Sequence, residues 1–414
     1  MCNAKNVYIC IIDKAIIMEA LIEKSIKRIE HTRLDFKRFL INDINWNRRL
    51  IGIKGARGTG KTTLMLQYIK ERFGISDEVL YVSLDNIYFS ENKLVDLAGS
   101  FVQSGGKYLF LDEVHKYKNW STEIKNIYDD FPELHIVFTG SSILEIDKSE
   151  ADLSRRAMIY NLPVLSMREF VELKYGLKLM SYKLEDIVTN HLEIASQIVE
   201  KMKPVKAFKV YNQTGAYPFF TETGDDYPDH LERIINLILE TDLPAFIPVD
   251  FNSIIKLKQL LLIISESVPF QPNISKLSNK IGVTRDTIIR HLNYLERAQL
   301  ITLLRSATKG VSKMSKPEKI YMNNSNLLYA LQPGIVNVGT VRETFFQSQL
   351  SVNHKIEAPP KGDFTVDNKY LFEVGGKNKT QKQIAGIDNS FIVSDEIEYG
   401  FKNKIPLWLF GFLY

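Results

Sequence analysis

Between residues 50 and 163 short apolar runs alternate with segments of helical period. Five runs stand out: 50–54 (LIGIK), 79–84 (VLYVSL), 107–112 (KYLFLD), 134–139 (LHIVFT) and 158–162 (MIYNL). A run that is apolar throughout, rather than alternating with polar residues, suits a strand buried on both faces. Strands separated by helices make a parallel sheet covered by those helices, so an α/β fold is expected here. From 166 to 251 the period turns helical, over 167–173, 184–202 and 231–239. It is interrupted at Gly215-Ala-Tyr-Pro218 and at Pro244, which predicts a helical lid or connector.

Residues 252–325 read as a helix, then a helical stretch over 274–300 with a short turn inside it, then a basic segment. The last part carries a helix around 341–350 and strand-like runs at 363–374, 390–393 and 405–413. The expected organisation is therefore an N-terminal helical segment (1–45), an α/β core (46–165), a lid or connector (166–251), a winged helix-turn-helix (252–325) and a small α/β domain (326–414). Leu21, Ile22, Ser25, Ile26 and Ile29 give a helical stripe that begins better at Met18 than at Met1. Residues 1–17 are accordingly expected to be a dispensable leader, or translation to start at Met18.

Composition narrows the class. Of 414 residues 45% are apolar and 25% charged, the balance of a globular chain rather than a disordered, collagenous or coiled-coil one. Cys2 and Cys10 are too few and too close to the N-terminus for a disulfide framework or a structural zinc site. The apolar run 7–12 lacks a cleavage site, and no stretch reaches the roughly 20 apolar residues of a membrane span. A cytoplasmic location and no membrane partner are expected. The formal charge of +4 is small for this length and by itself does not point to nucleic acid.

The first chemistry lies after the first strand. Gly55-Ala-Arg57-Gly58-Thr59-Gly60-Lys61-Thr62 fits G-x-x-x-x-G-K-[ST], follows an apolar run and opens a helix through Thr63, Leu64, Leu66 and Ile69. Glycines let backbone N–H groups wrap a phosphate, the helix start adds its positive end, Lys61 reaches the outer phosphates, and the Thr62 hydroxyl can ligate magnesium. Taken alone, such a turn also serves as a bare strand-to-helix connector. The third run ends in Asp112-Glu113, which supplies a metal-holding carboxylate (Asp112) and a base for an attacking water (Glu113). The fourth ends in Thr139-Gly-Ser141-Ser142, hydroxyls that either orient that water and sense phosphate or merely cap the next helix. Arg155 and Arg156 either face the γ-phosphate or form a surface pair. His115, Lys116 and Lys118 are expected at the surface, and Asp85 either supports the site or caps a turn.

Residues 46–176, with Trp46-Asn-Arg-Arg-Leu-Ile-Gly-Ile, the phosphate loop, Leu111-Asp-Glu-Val-His, Phe138-Thr-Gly-Ser-Ser and Leu162-Pro-Val-Leu-Ser-Met-Arg-Glu-Phe170, resemble a prokaryotic AAA-type ATPase with a C-terminal domain of unassigned function. The resemblance implies ATP and magnesium as ligands, and a sheet ordered 5-1-4-3-2 with the Thr139 strand between the phosphate-loop and Asp-Glu strands. It also implies Glu113 as catalytic base and an arginine near 155–156 as sensor or finger, a group that a neighbouring copy often supplies when such domains assemble.

Residues 274–284 read as one helix, a glycine turn at Gly282, and a second helix capped by Thr284, which is helix-turn-helix spacing. The second helix buries Ile288, Leu292 and Leu295 and turns Arg285, Arg290 and Asn293 outward. A hairpin-like segment from Leu303 to Ile320 then supplies Lys309, Lys313, Lys316 and Lys319. Residues 271–320 carry a net charge of +7, leaving −3 for the remainder. Such a patch suits DNA backbone contacts, while winged helices also serve as protein-contact modules.

In the last part Glu343, Asp363 and Glu373-Val-Gly-Gly-Lys377 follow the order of a restriction-endonuclease-like site. Gly375 stands where that pattern has its lysine, and Lys377, two residues later, is the available stand-in. A degenerate fold used for binding is therefore favoured over active cleavage. Two functions from different classes remain. One is an ATPase coupled to a DNA-binding C-terminal module; the other is a nucleotide-gated switch that binds protein with little turnover. An ATP-regulated nuclease is a third and weaker reading.

Overall fold

The computed structural model describes residues 4–140, 153, 155–245, 247, 249–266, 272–306, 316–332, 334 and 336–414, with side chains from residue 18 onward. The chain forms two compact units, Met1–Leu162 and Pro163–Tyr414.

In the first unit β1 (Leu50–Lys54), β2 (Val79–Ser83), β3 (Tyr108–Asp112), β4 (His135–Gly140) and β5 (Met158–Asn161) form a sheet in the order 2-3-4-1-5. All its pairings are parallel. The Thr139 strand thus lies between the phosphate-loop strand and the Asp-Glu strand, as expected. Alternate residues of each strand face opposite sides, and each side has its own core. Leu50, Leu80, Leu109, Ile136 and Phe138 pack with α3 (Leu94–Gln103) and α4 (Trp120–Asp130). Ile51, Ile53, Tyr81, Phe110 and Val137 pack with α2 (Lys61–Arg72). Helix α1 (Ala4–His31) runs beside the edge strand β2, contributing Leu21 to one core and Ile29 to the other. An edge strand presents unpaired N–H groups; here the Tyr81 N–H donates to Ser25 Oγ of α1 at 3.0 Å.

The second unit begins with α5 (Met167–Tyr175), whose start is fixed by a reciprocal cap between Ser166 and Glu169. The longer helices that follow are α6 (Leu184–Val199), α7 (Pro204–Thr214) and α8 (Tyr227–Leu237). Next come α9 (Phe251–Glu266), α10 (Ile274–Ile281) and α11 (Arg285–Arg297), then a two-stranded antiparallel pair, β6 (Ile301–Leu304) with β7 (Lys319–Met322). Gly282 ends α10 at φ 74°, in the left-handed region that glycine tolerates. The Thr284 hydroxyl accepts from the Thr287 N–H to start α11. Thr284→Ala is expected to cost about 1 kcal/mol, the usual worth of such a cap, read as a lower midpoint in urea unfolding.

After α12 (Ser325–Leu331) and α13 (Val338–Leu350), five strands form a second sheet: β8 (Ile356–Glu357), β9 (Phe364–Val366), β10 (Tyr370–Gly375), β11 (Ser390–Ser394) and β12 (Lys404–Pro406). The order is 12-11-10-9-8, with 10, 11 and 12 parallel and 8, 9 and 10 antiparallel. Phe346 of α13 packs on Phe364, Phe372 and Phe410. Two sequence expectations change here. The run 363–374 is two strands, because Asp367 and Asn368 adopt left-handed φ of 53° and 55° and Lys369 N–H closes the turn on the Val366 carbonyl. The run 405–413 is strand only to Pro406. Leu407–Phe412 is a buried 3₁₀ turn, since a fully apolar run does not by itself distinguish strand from buried helix.

Candidate functional site

The phosphate loop joins β1 to the start of α2, at the carboxyl ends of the parallel strands where open α/β sheets bind ligands. At Gly55 a Cβ would run into the Leu162 carbonyl oxygen. Gly60, at φ 92°, turns the chain into α2. Lys61 is 4% exposed and its Nζ donates to the carbonyls of Gly55 (3.0 Å) and Ala56 (2.8 Å), so the ammonium is held over the loop. Thr59 is fully buried, with its hydroxyl on the Ala56 carbonyl. Arg57 is half-buried and Thr63 exposed. The loop has a brace that sequence reasoning missed: buried Arg38 donates from Nη1 to the Thr59 carbonyl at 2.6 Å. A charged residue outside every motif reads as surface, so nothing in the pattern marks it.

Asp112 is the hub. Its Oδ2 accepts from Thr62 Oγ1 (2.8 Å) and Tyr81 Oη (2.9 Å), and its Oδ1 accepts from Thr139 Oγ1. Burial pushes this carboxyl above its ordinary range; the bond from Thr139 opposes that shift, the Glu113 charge adds to it, and the bonds from Thr62 and Tyr81 oppose it. Tyr81, also missed, has its own phenol pushed up, first by burial and then by the Asp112 charge. It sits in a run that reads only as buried strand, and its hydroxyl's destination depends on tertiary packing.

Glu113 adopts a left-handed backbone (φ 52°, ψ 40°), uncommon away from glycine and frequent at functional sites. Its N–H donates to Thr139 Oγ1 at 3.2 Å, and its carboxylate lies 3.3 Å from His115 Nε2. His115 is therefore not a surface residue: it is 7% exposed, held inward by the turn after β3. Lys116 and Lys118 are exposed. Thr62, Asp112, Glu113 and Asp85 share a cavity of about 500 Å³ with Lys24 and Arg28 of α1. Arg156 makes a two-pronged pair with Asp129 (3.0 and 2.9 Å), and Arg155 is exposed. Ser141 and Ser142 lie outside the described residues.

On the helix-turn-helix, Arg285 and Arg290 are exposed, with Arg290 reaching the Thr287 hydroxyl at 3.2 Å. Asn293 is half-buried, its amide on the Ile289 carbonyl of its own helix. Lys316 is exposed; Lys309 and Lys313 lie outside the described residues. Lys319 departs from expectation. Its Nζ bonds Asp363 at 3.0 Å and Glu343 at 3.4 Å, while Tyr321, two residues on along the same face of β7, donates to Glu343 at 2.7 Å. This lysine is thus part of the acidic cluster and not of an outward wing.

Glu343 and Asp363 are brought together, but Glu373 is paired with Lys379. Lys377 is exposed and does not fill the role expected of it, because the turn after β10, closed by the Lys379 N–H on the Gly376 carbonyl, delivers Lys379 to the carboxylate instead. Among the described residues no group of three His, Cys, Asp or Glu side chains converges to hold a metal ion.

A parallel sheet ordered 2-3-4-1-5, with a G-x-x-x-x-G-K-T loop after β1 and Asp-Glu at the end of β3, defines a P-loop α/β domain. In agreement, residues 47–171 match the family model described as an AAA domain, and residues 205–337 match a domain of unknown function (DUF8612). The chain is similar to an uncharacterized protein of Methanocaldococcus jannaschii, 27% identical over 317 residues. That match covers 72% of this chain and 65% of the relative, so it spans less than two thirds of the relative's length.

Among solved structures, a Walker-type ATPase of Pyrococcus abyssi aligns over 75% of this chain and 95% of its own, at 11% identity and a TM-score of 0.38. AMPPCP-bound DnaA from Aquifex aeolicus aligns over 62% and 84%, at 15% identity and a TM-score of 0.25. The assignment rests on the sheet, the loop and the family model. No helix among the described residues is long and apolar enough to cross a membrane.

Proposed function

We propose that the first unit binds ATP with magnesium and hydrolyses it, and that the second unit couples the nucleotide state to DNA. The observation that carries the first part is the set of hydroxyls around Asp112, with Thr62 at 2.8 Å. A threonine hydroxyl and a buried carboxylate in contact are a hard-oxygen donor pair suited to magnesium, and a carboxyl pushed up by burial gains most from a nearby divalent charge. These residues fit the ion. When bound, magnesium would neutralise phosphate charge; Thr62 and Asp112 would hold it. Gly55, Gly58, Gly60 and the N–H groups at the start of α2 cradle phosphates, with Thr59 and Thr63 flanking. Lys61 exchanges loop carbonyls for phosphate oxygens. Glu113 takes the proton of the attacking water, and Thr139 orients that end of the site. Of the two arginines Arg155 takes the sensor or finger role in this reading, since Arg156 is engaged by Asp129.

In the second unit, a helix-turn-helix followed by an antiparallel strand pair supports a winged-helix reading. Arg285, Arg290, Lys309, Lys313 and Lys316 would contact DNA phosphates. Retention on heparin and on duplex DNA is expected to fall steeply with salt. Lys313→Glu combined with Lys316→Glu is expected to abolish it; unchanged retention would remove DNA from the account. The Lys319 contact with Asp363 and Glu343 favours a binding or assembly role for the last domain over metal-dependent cleavage. The second reading, a nucleotide-gated protein-binding switch, predicts tight nucleotide binding without phosphate release, so turnover separates the two.

A further inference from the structure

The cavity beside Asp112 has a second wall that the proposed ATPase chemistry leaves unused. Lys24 and Arg28 lie one helical turn apart on α1, with Ser25, on the face that meets β2. Thr62, Asp85, Asp112 and Glu113 line the same cavity. Although three carboxylates share the cavity, Lys24 and Arg28 make no ion pair with any of them among the described residues. Lys24 and Arg28 are exposed, and with the three acids they line one cavity of about 500 Å³ that has room for a group in contact with both sets. That group must offer anionic oxygens to α1. On its other side it must tolerate the Thr62 and Asp112 end, which would hold magnesium and so supply positive charge there. An ammonium and a guanidinium one turn apart match two oxygens of a tetrahedral oxyanion.

The wall is also mechanically tied to the site. Ser25 Oγ accepts from the Tyr81 N–H, and the Tyr81 hydroxyl donates to Asp112, so one residue links α1 to the carboxylate at the hub.

We infer that Lys24 and Arg28 of α1 form a phosphoryl subsite in the cavity that Asp112 and Glu113 also line, supplied from the same chain. The inference rests on the ATP reading for what reaches the cavity, and two sources share the chemistry: the γ-phosphoryl of bound ATP, or orthophosphate after cleavage.

Equilibrium binding of Mg·ADP, of the magnesium complex of the non-hydrolysable β,γ-imido analogue of ATP, and of orthophosphate is measured on the full chain, for wild type and for Lys24→Gln/Arg28→Gln. A loss of roughly tenfold or more for the imido analogue with Mg·ADP unchanged, the scale of one or two charge-assisted hydrogen bonds, is the expected result if the γ-phosphoryl is the source. A similar loss confined to orthophosphate identifies the released product. Lys24→Arg/Arg28→Lys should recover most of the loss in either case, and Glu23→Gln/Lys27→Gln, which removes an exposed pair on the same helix, should change nothing. Three unchanged affinities overturn the inference. So does a parallel fall in all three, which would make the pair a support for the fold. If wild type binds no nucleotide but its orthophosphate binding depends on Lys24 and Arg28, the subsite stands and the ATP reading fails; if wild type binds neither, both fail.

Discussion

Glu113→Gln is expected to lower phosphate release by about 10³-fold, within the range for loss of a positioned general base, while nucleotide binding is kept. The amide fills the same space and can still face His115, but it cannot accept the water's proton. The backbone of Glu113 does not depend on the carboxylate: its N–H is held by Thr139, and the following 3₁₀ turn Val114–Lys116 continues from it. A binding defect of similar size would instead mean that Glu113 holds the site together. Steady-state phosphate release together with titration of a fluorescent ADP separates the two effects, because only the first should move.

The second large effect lies in the other unit. Lys319→Ala is expected to destabilise the chain by about 3 kcal/mol, the lower end for removing one partner from a buried ionic group, since the Lys319 side chain is 14% exposed and joins two carboxylates that are 12% and 16% exposed. What remains is Glu343 against Asp363 with one cation removed. Burial, then the Asp363 charge, already pushes the Glu343 carboxyl above 4.5 in the intact protein. Burial alone would lower Lys319, but the two carboxylates outweigh it and hold it above 10.5.

The signs follow from linkage. The stability that Lys319 contributes is present below pH 10.5 and is lost as pH rises through its raised value. The Glu343 contribution is complete below pH 4.5 and is lost as pH rises through its raised value. The deficit of Lys319→Ala should therefore shrink as pH falls from 7 toward 4.5 and Glu343 protonates. Urea midpoints across that range measure it. Adding Glu343→Gln and Asp363→Asn to Lys319→Met should restore most of the loss at pH 7, because no buried charge is then left alone.

How far the sequence could be read differs between the two units for physical reasons. Strands buried on both faces leave unbroken apolar runs, so β1 to β4 are legible in the sequence, and the loop and Asp-Glu chemistry sits at fixed offsets from them; β5, a half-exposed edge strand, is legible from the short run 158–162. Arg38 and Tyr81 were invisible because each acts through a contact set by packing, one to a loop carbonyl and the other to the Asp112 carboxylate. His115 was misread for a related reason: a polar residue after a strand is usually solvated, and only the left-handed turn at Glu113 sends this one inward. In the second unit, runs of mixed apolar residues concealed the turn at Asp367-Asn368 and the 3₁₀ segment after Pro406. Lys319 looked like its basic neighbours in the hairpin. Its position on one face of β7 with Tyr321, toward Glu343, appears only once the strand has a register.

The same distinction bears on the charge pattern. The +7 window suggests a continuous basic surface, yet Lys319 is consumed within the unit and Arg305 is bound in two-pronged fashion to Glu296. The surface offered to a polyanion is smaller than the count implies, and Lys276, Lys280, Arg285, Arg290, Arg297 and Lys316 are its exposed members among the described residues.

The central claim, that this chain turns over ATP at the Thr62, Asp112 and Glu113 site, is tested most directly by orthophosphate release from ATP by the wild-type chain, with and without magnesium and with and without duplex DNA. The account predicts magnesium-dependent release that is lost in Lys61→Ala. Nucleotide bound with no release under any of these conditions, or release that persists in Lys61→Ala, would contradict it.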